Sequence, residues 1–204
     1  MDNADPNDKK GNEEQVLTIL LAEYGALKSE QLGRIGFRDN LLYVTVGAVG
    51  AIGAVALGGL GENKKEMLEA FLLVPWVTTI LGWTYLVNDD KITAIRQYVD
   101  TDLAKRIQKL MQTKNHPFVW EHFHRADSGR ARRKNFQLAI DLITFVVSGL
   151  GALAFFVLRQ KDPDSRAYIF AGVEVLLLVF LSYQFVVHGR QARRSSANLG
   201  DGAA

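Results

Sequence analysis

Four apolar runs, at residues 41–60, 67–87, 136–158 and 168–187, dominate this 204-residue chain. A helix rising 1.5 Å per residue needs roughly 20 such residues to cover a hydrocarbon core of about 30 Å, and each run qualifies. The expected fold class is therefore an all-α integral membrane protein with four transmembrane helices. The mean hydropathy of +0.02 conceals this, because charge is concentrated in the flanks and the central loop.

Basic residues predict the orientation, since short loops rich in Lys and Arg stay on the cytoplasmic side. Five precede the first run (Lys9, Lys10, Lys28, Arg34, Arg38), eleven lie between the second and third, and three follow the fourth (Arg190, Arg193, Arg194). The intervening loops hold only five: Lys64, Lys65, Arg159, Lys161 and Arg166. Both termini are expected inside, with residues 61–66 and 159–167 outside, in the inner membrane of a bacterium as a multi-pass protein. No cleaved signal peptide is expected, because forty mostly polar residues come before the first apolar run. With no cysteine, disulfides, thiolate chemistry and cysteine metal ligands are excluded.

Residues 1–12 show no apolar periodicity and read as a disordered tail, as do residues 189–204. From Glu13 the pattern changes: Val16 or Leu17, Leu20, Tyr24, Leu27 and Ile35 recur at helical spacing, predicting a cytoplasmic amphipathic helix over residues 13–40. It leads into a first transmembrane hairpin, 41–88. A second stripe follows in the cytoplasmic stretch 89–135: Ile92, Ile95, Val99, Leu103, Ile107 and Leu110, with Asp100 and Asp102 off it. The second hairpin occupies 136–188. The two amphipathic extensions are expected to pack on each other or on copies from neighbouring subunits.

The first apolar run is rich in small residues. Gly50, Ala54 and Gly58 recur every four positions, and Gly47 extends that side. Such a stripe lets another helix approach closely, either within one subunit or across an oligomer interface. Pro75 removes a backbone donor and is expected to bend the second run. Two acids fall inside apolar runs. Glu174 is roughly 9 Å from the nearer end of the fourth run and Asp141 is a few residues into the third. An intramembrane acid is by default a functional candidate, so both are ion-path candidates. The structural alternatives are pairing of Asp141 with Arg132, Arg133 or Lys134, and pairing of Glu174 with Arg166 or its protonation.

The basic run Arg125, Arg130, Arg132, Arg133 and Lys134 suits anionic lipid and can also hold a phosphate-bearing ligand. His122 and His124, two apart, diverge on a helix, so no metal site is expected. There is no glycine loop for phosphate, no nucleophile–histidine spacing and no helix with two ligand histidines. Neither an enzyme nor any cofactor is expected.

The stretch Glu23-Tyr24-Gly25-Ala26-Leu27-Lys28-Ser29-Glu30, with Arg34-Ile35 and Arg38, resembles the opening of a family of uncharacterised bacterial integral membrane proteins. Leu72 to Pro75, then Leu81-Gly82-Trp83, Asn88-Asp89, Ile92, Ile95, Tyr98 and Trp120-Glu121 continue the likeness, which covers roughly residues 23–121. The four-span layout is also similar to that of membrane effectors of antiphage defence systems, which a nucleotide signal or a partner protein triggers to form an oligomeric pore. That likeness implies a homo-oligomeric effector or channel whose cytoplasmic helices receive the signal. The competing expectation is a non-conducting scaffold that recruits a cytosolic partner. Direct binding of duplex nucleic acid is not expected.

Overall fold

The computed structural model describes residues 6–58, 67–118, 130–160 and 165–198, and among them every regular element is helical. In chain order these are α1 (Pro6–Ala56), a 3₁₀ turn (Leu68–Leu72), α2 (Leu73–Tyr98), a π turn (Val99–Leu103) and α3 (Ala104–Leu110). There follow α4 (Arg130–Leu142), a second π turn (Ile143–Val147), α5 (Ser148–Arg159) and α6 (Ser165–Asn198). Four stretches are long and apolar enough to cross a membrane: Lys10–Ala56, Leu68–Leu110, Arg132–Arg159 and Ser165–Arg190.

Helix α1 begins at Pro6, inside the segment read as a tail. Proline is well placed at a first helical position, where its fixed φ suits the helix and its missing N–H has no partner to lose. At the other end α6 continues to Asn198, with no proline or glycine after Gly189 to stop it. Gly58 takes φ 71°, its N–H donating to the Val55 carbonyl, and so ends the first membrane-length helix. It therefore serves as a helix stop and is not part of the helical stripe. Pro75 lies in the first turn of α2, just after the 3₁₀ turn, and has no interior hydrogen bond to break.

The chain divides into two compact units. The first comprises residues 1–36 and 89–128. Its core is Leu20, Val99, Leu103 and Ile107, with Leu17, Tyr24, Leu27, Ile95, Tyr98, Leu110 and Phe118 packed around it. The two amphipathic stripes thus meet each other. Of the Val16/Leu17 alternatives, Leu17 turns inward while Val16 is exposed. Tyr24 and Phe118 stack at 4.2 Å, and the amide of Gln31 donates to the Ile92 carbonyl. Asp100, expected off the stripe, is buried beside Val99, because the wider π turn points two successive residues inward.

The second unit comprises residues 37–88 and 129–204. All four membrane-length helices contribute to it. Leu41 comes from α1, Tyr85 and Leu86 from α2, Phe145 and Val146 from the second π turn, and Leu181 and Phe185 from α6. Phe145 and Phe185 stack at 5.8 Å, with Tyr85 tilted against both. A smaller cluster joins Leu72, Leu153, Ala171 and Leu178. Helices approach closely at Gly82, where a Cβ would lie 2.9 Å from Leu181 and 3.1 Å from Phe145. At Gly149 it would lie 3.0 Å from Leu178 and from the Thr78 hydroxyl.

Candidate functional site

Polar groups are few inside the second unit, and among the described ones the Thr79 hydroxyl and Glu174 Oε2 are buried without a hydrogen-bond partner. Thr45 and Thr78 are fully buried and return their hydroxyl protons to the carbonyls of Leu41 and Pro75. Asn88 does the same with its amide toward Thr84. These side chains satisfy their own helices. Ser148 likewise donates to the Thr144 carbonyl.

Asp141 belongs to a polar chain that crosses the bundle. The Gln137 amide donates to the Tyr85 hydroxyl at 2.7 Å and to the Asp141 carboxylate at 2.9 Å. Gln137 and Asp141 are four residues apart and so share one face of α4. Tyr85 is buried, and its ring is covered by Phe145 and Phe185, with the Arg38 guanidinium 5.8 Å from its centroid. A network satisfied in this way fixes the mutual position of α2 and α4. Sequence reasoning picked out Asp141 and missed Tyr85 and Gln137. The i, i+4 spacing was available as a signal, whereas the cross-helix tyrosine was not.

Glu174 is different. It is only 1 % exposed, in the middle of an apolar stretch of α6. The Trp76 indole N–H donates toward its carboxyl group, while Oε2 has no hydrogen-bond partner. Arg166, a pairing candidate from sequence, is exposed, and no ion pair joins the two among the described residues. Its neighbours one turn away, Ala171 and Leu178, pack on Leu72 and Leu153.

The small-residue stripe of α1 points away from the bundle. Leu41, Thr45 and Ala56 face inward, whereas Tyr43, Gly47, Gly50 and Ala54 are all exposed. A Cβ at Gly47 or Gly50 would meet nothing within 4 Å. Packing within the subunit is instead carried by Gly82 and Gly149. In its most apolar window α1 is 17 % buried, against 33, 39 and 28 % for the other three. It is thus the membrane-length helix least covered by its own subunit.

In the first unit, the Tyr98 hydroxyl donates to Glu23 at 2.7 Å, and that hydrogen bond holds the phenol above its ordinary range. A cleft of about 390 Å³ opens among Leu17, Leu21, Ile107, Met111, His116 and Phe118. Of the basic cluster, Arg125 lies outside the described residues, as do His122 and His124. Arg130 opens α4, and Arg132 and Arg133 are exposed on its first turns, with Lys134 half-buried. Among the described residues no group of three or more metal-ligating side chains converges. Comparison with protein-family models, with curated proteins and with solved structures finds no match for this chain.

Proposed function

We propose that the protein is a homo-oligomeric, four-span membrane effector or channel-like protein of the bacterial inner membrane. Its spans assemble through α1, and its first unit receives a signal or partner on the cytoplasmic side. The observation that carries this reading is the exposed Tyr43, Gly47, Gly50, Ala54 face of the least buried membrane-length helix. Lipid tails are as apolar as leucine, so spans associate through close backbone approach. A stripe of small residues with open space above it supplies that to a second copy. The excess of Lys and Arg before the first span, between the second and third, and after the fourth supports cytoplasmic termini. Arg132, Arg133 and Lys134 then stand at the cytoplasmic end of the third span, where anionic headgroups or a phosphate-bearing signal meet them.

The test is the mass of the detergent-solubilised protein and of Gly50→Leu. Wild type is expected as an oligomer and the variant shifted toward monomer, with unchanged helix content, because a Cβ added at this position meets nothing within 4 Å in its own subunit. A monomeric wild type overturns the proposal. Reconstituted in vesicles, the oligomer should carry ion flux. The apolar cleft at Leu17, Leu21, Ile107 and Met111 favours a second reading, a scaffold that recruits a partner, and an oligomer that carries no flux would select it.

A further inference from the structure

We infer that Glu174 is a proton-binding site enclosed within each subunit, rather than a charge on the wall of a pore between subunits. The inference concerns the interior of one subunit and stands whether or not copies assemble. Three observations carry it. The side chain is 1 % exposed in a single copy, so no neighbouring subunit is needed to cover it. The residues one turn away on its own helix, Ala171 and Leu178, belong to an apolar cluster with Leu72 and Leu153. Its carboxyl meets one donor, the Trp76 indole, and Oε2 meets none.

The ligand class follows from counting donors and acceptors. An ionised carboxylate offers about four lone-pair sites, and an isolated charge in such a setting is strongly disfavoured. A metal ion does not answer the charge. Hard cations require six or more oxygen ligands, and among the described residues no group of three or more His, Asp or Glu side chains converges to supply them. On the surrounding elements, α2 and α6 carry titratable groups from Tyr85 and Tyr183 onward, nine residues past Trp76 and Glu174, and the remaining four are Glu69 on the 3₁₀ turn, Arg159 on α5, and Arg166 and Tyr168 on α6. All four are exposed, and none acts on the Glu174 carboxyl. A proton is the one cation that fits: it needs no coordination shell and leaves one oxygen free to accept from Trp76. Loss of that proton requires water to enter or α6 to move from α2, so proton release is linked to opening of the bundle.

The experiment is carbodiimide labelling of the full-length protein in liposomes, mapped by peptide mass. A protonated carboxyl adds its O–H across one C=N bond, the oxygen bonding to carbon and the proton passing to nitrogen. Dicyclohexylcarbodiimide, which partitions into the membrane, should modify Glu174 near neutral pH, and the yield should fall as pH rises. A water-soluble carbodiimide should leave it untouched. Glu174→Gln should remove the adduct while keeping any background label elsewhere. In a Trp83→Phe, Trp120→Phe background, Trp76 fluorescence should change over the same pH range in which labelling falls. An unmodified Glu174 peptide from native protein overturns the inference without recourse to any variant. Equal modification by the water-soluble reagent overturns it too, since the carboxyl would then be open to water.

Discussion

Two glycines on α5, two residues apart, should respond to the same substitution with opposite signs. Replacing Gly151 with Ala adds a methyl group into open space, and the helix gains about 0.5–1 kcal/mol from the reduced flexibility of the chain. Gly149→Ala brings the same gain, but its Cβ arrives 3.0 Å from both Leu178 methyls and from the Thr78 hydroxyl. Leu178 has rotatable bonds with which to yield. Thr78 does not, because its hydroxyl is held on the Pro75 carbonyl at 3.2 Å. Overpacking of this kind costs about 1–3 kcal/mol. Since the propensity term cancels between the variants, Gly149→Ala should be less stable than Gly151→Ala by that whole amount, and roughly 0–2.5 kcal/mol less stable than wild type. Denaturing-detergent titration followed by circular dichroism in mild-detergent micelles measures the difference. A Gly149→Ala protein as stable as Gly151→Ala would show that α2, α5 and α6 do not meet at this point.

Two further outcomes are expected. A single cysteine at Ser165 should react with an impermeant thiol reagent on intact cells and one at Lys114 should not; the reverse pattern inverts the topology. The bond between Tyr98 and Glu23 raises the phenol, and a group raised in the folded state stabilises fully below its unfolded value. Melting of the first unit should therefore be unaffected up to a pH of about 10 and weaken above it, where Tyr98→Phe loses that dependence.

The membrane-length helices were legible because 20 consecutive apolar residues have few other uses, and the partners Leu20 and Leu103 were legible from their helical period. What escaped was whatever depends on a neighbour distant in sequence. Gly50 and Gly149 look alike in a string of letters, yet one faces open space and the other two side chains, Leu178 and Thr78. The π turns escaped for a related reason. A strict helical period keeps Asp100 off the stripe and separates Phe145 from Val146, but a wider turn buries both members of each successive pair. Glu174 was visible as an acid in an apolar run. Its companion Trp76 lies nearly a hundred residues earlier and carries no local signal.

The π turn at Ile143–Val147 also bears on how this chain tolerates a change in length. Such a turn is an α-helix holding one residue more than its usual complement, so the helices on either side keep the same phase as if it were absent. Removing a single residue from that turn should restore an ordinary α-helix, with Gln137 and Asp141 still aimed at Tyr85 and Gly149 still under Leu178. The same deletion within Ser148–Arg159 would swing everything beyond it by about 100° and carry the residues that pack on α6 out of the bundle. Natural variants of this chain that differ by one residue in the third span should therefore differ at the wide turn.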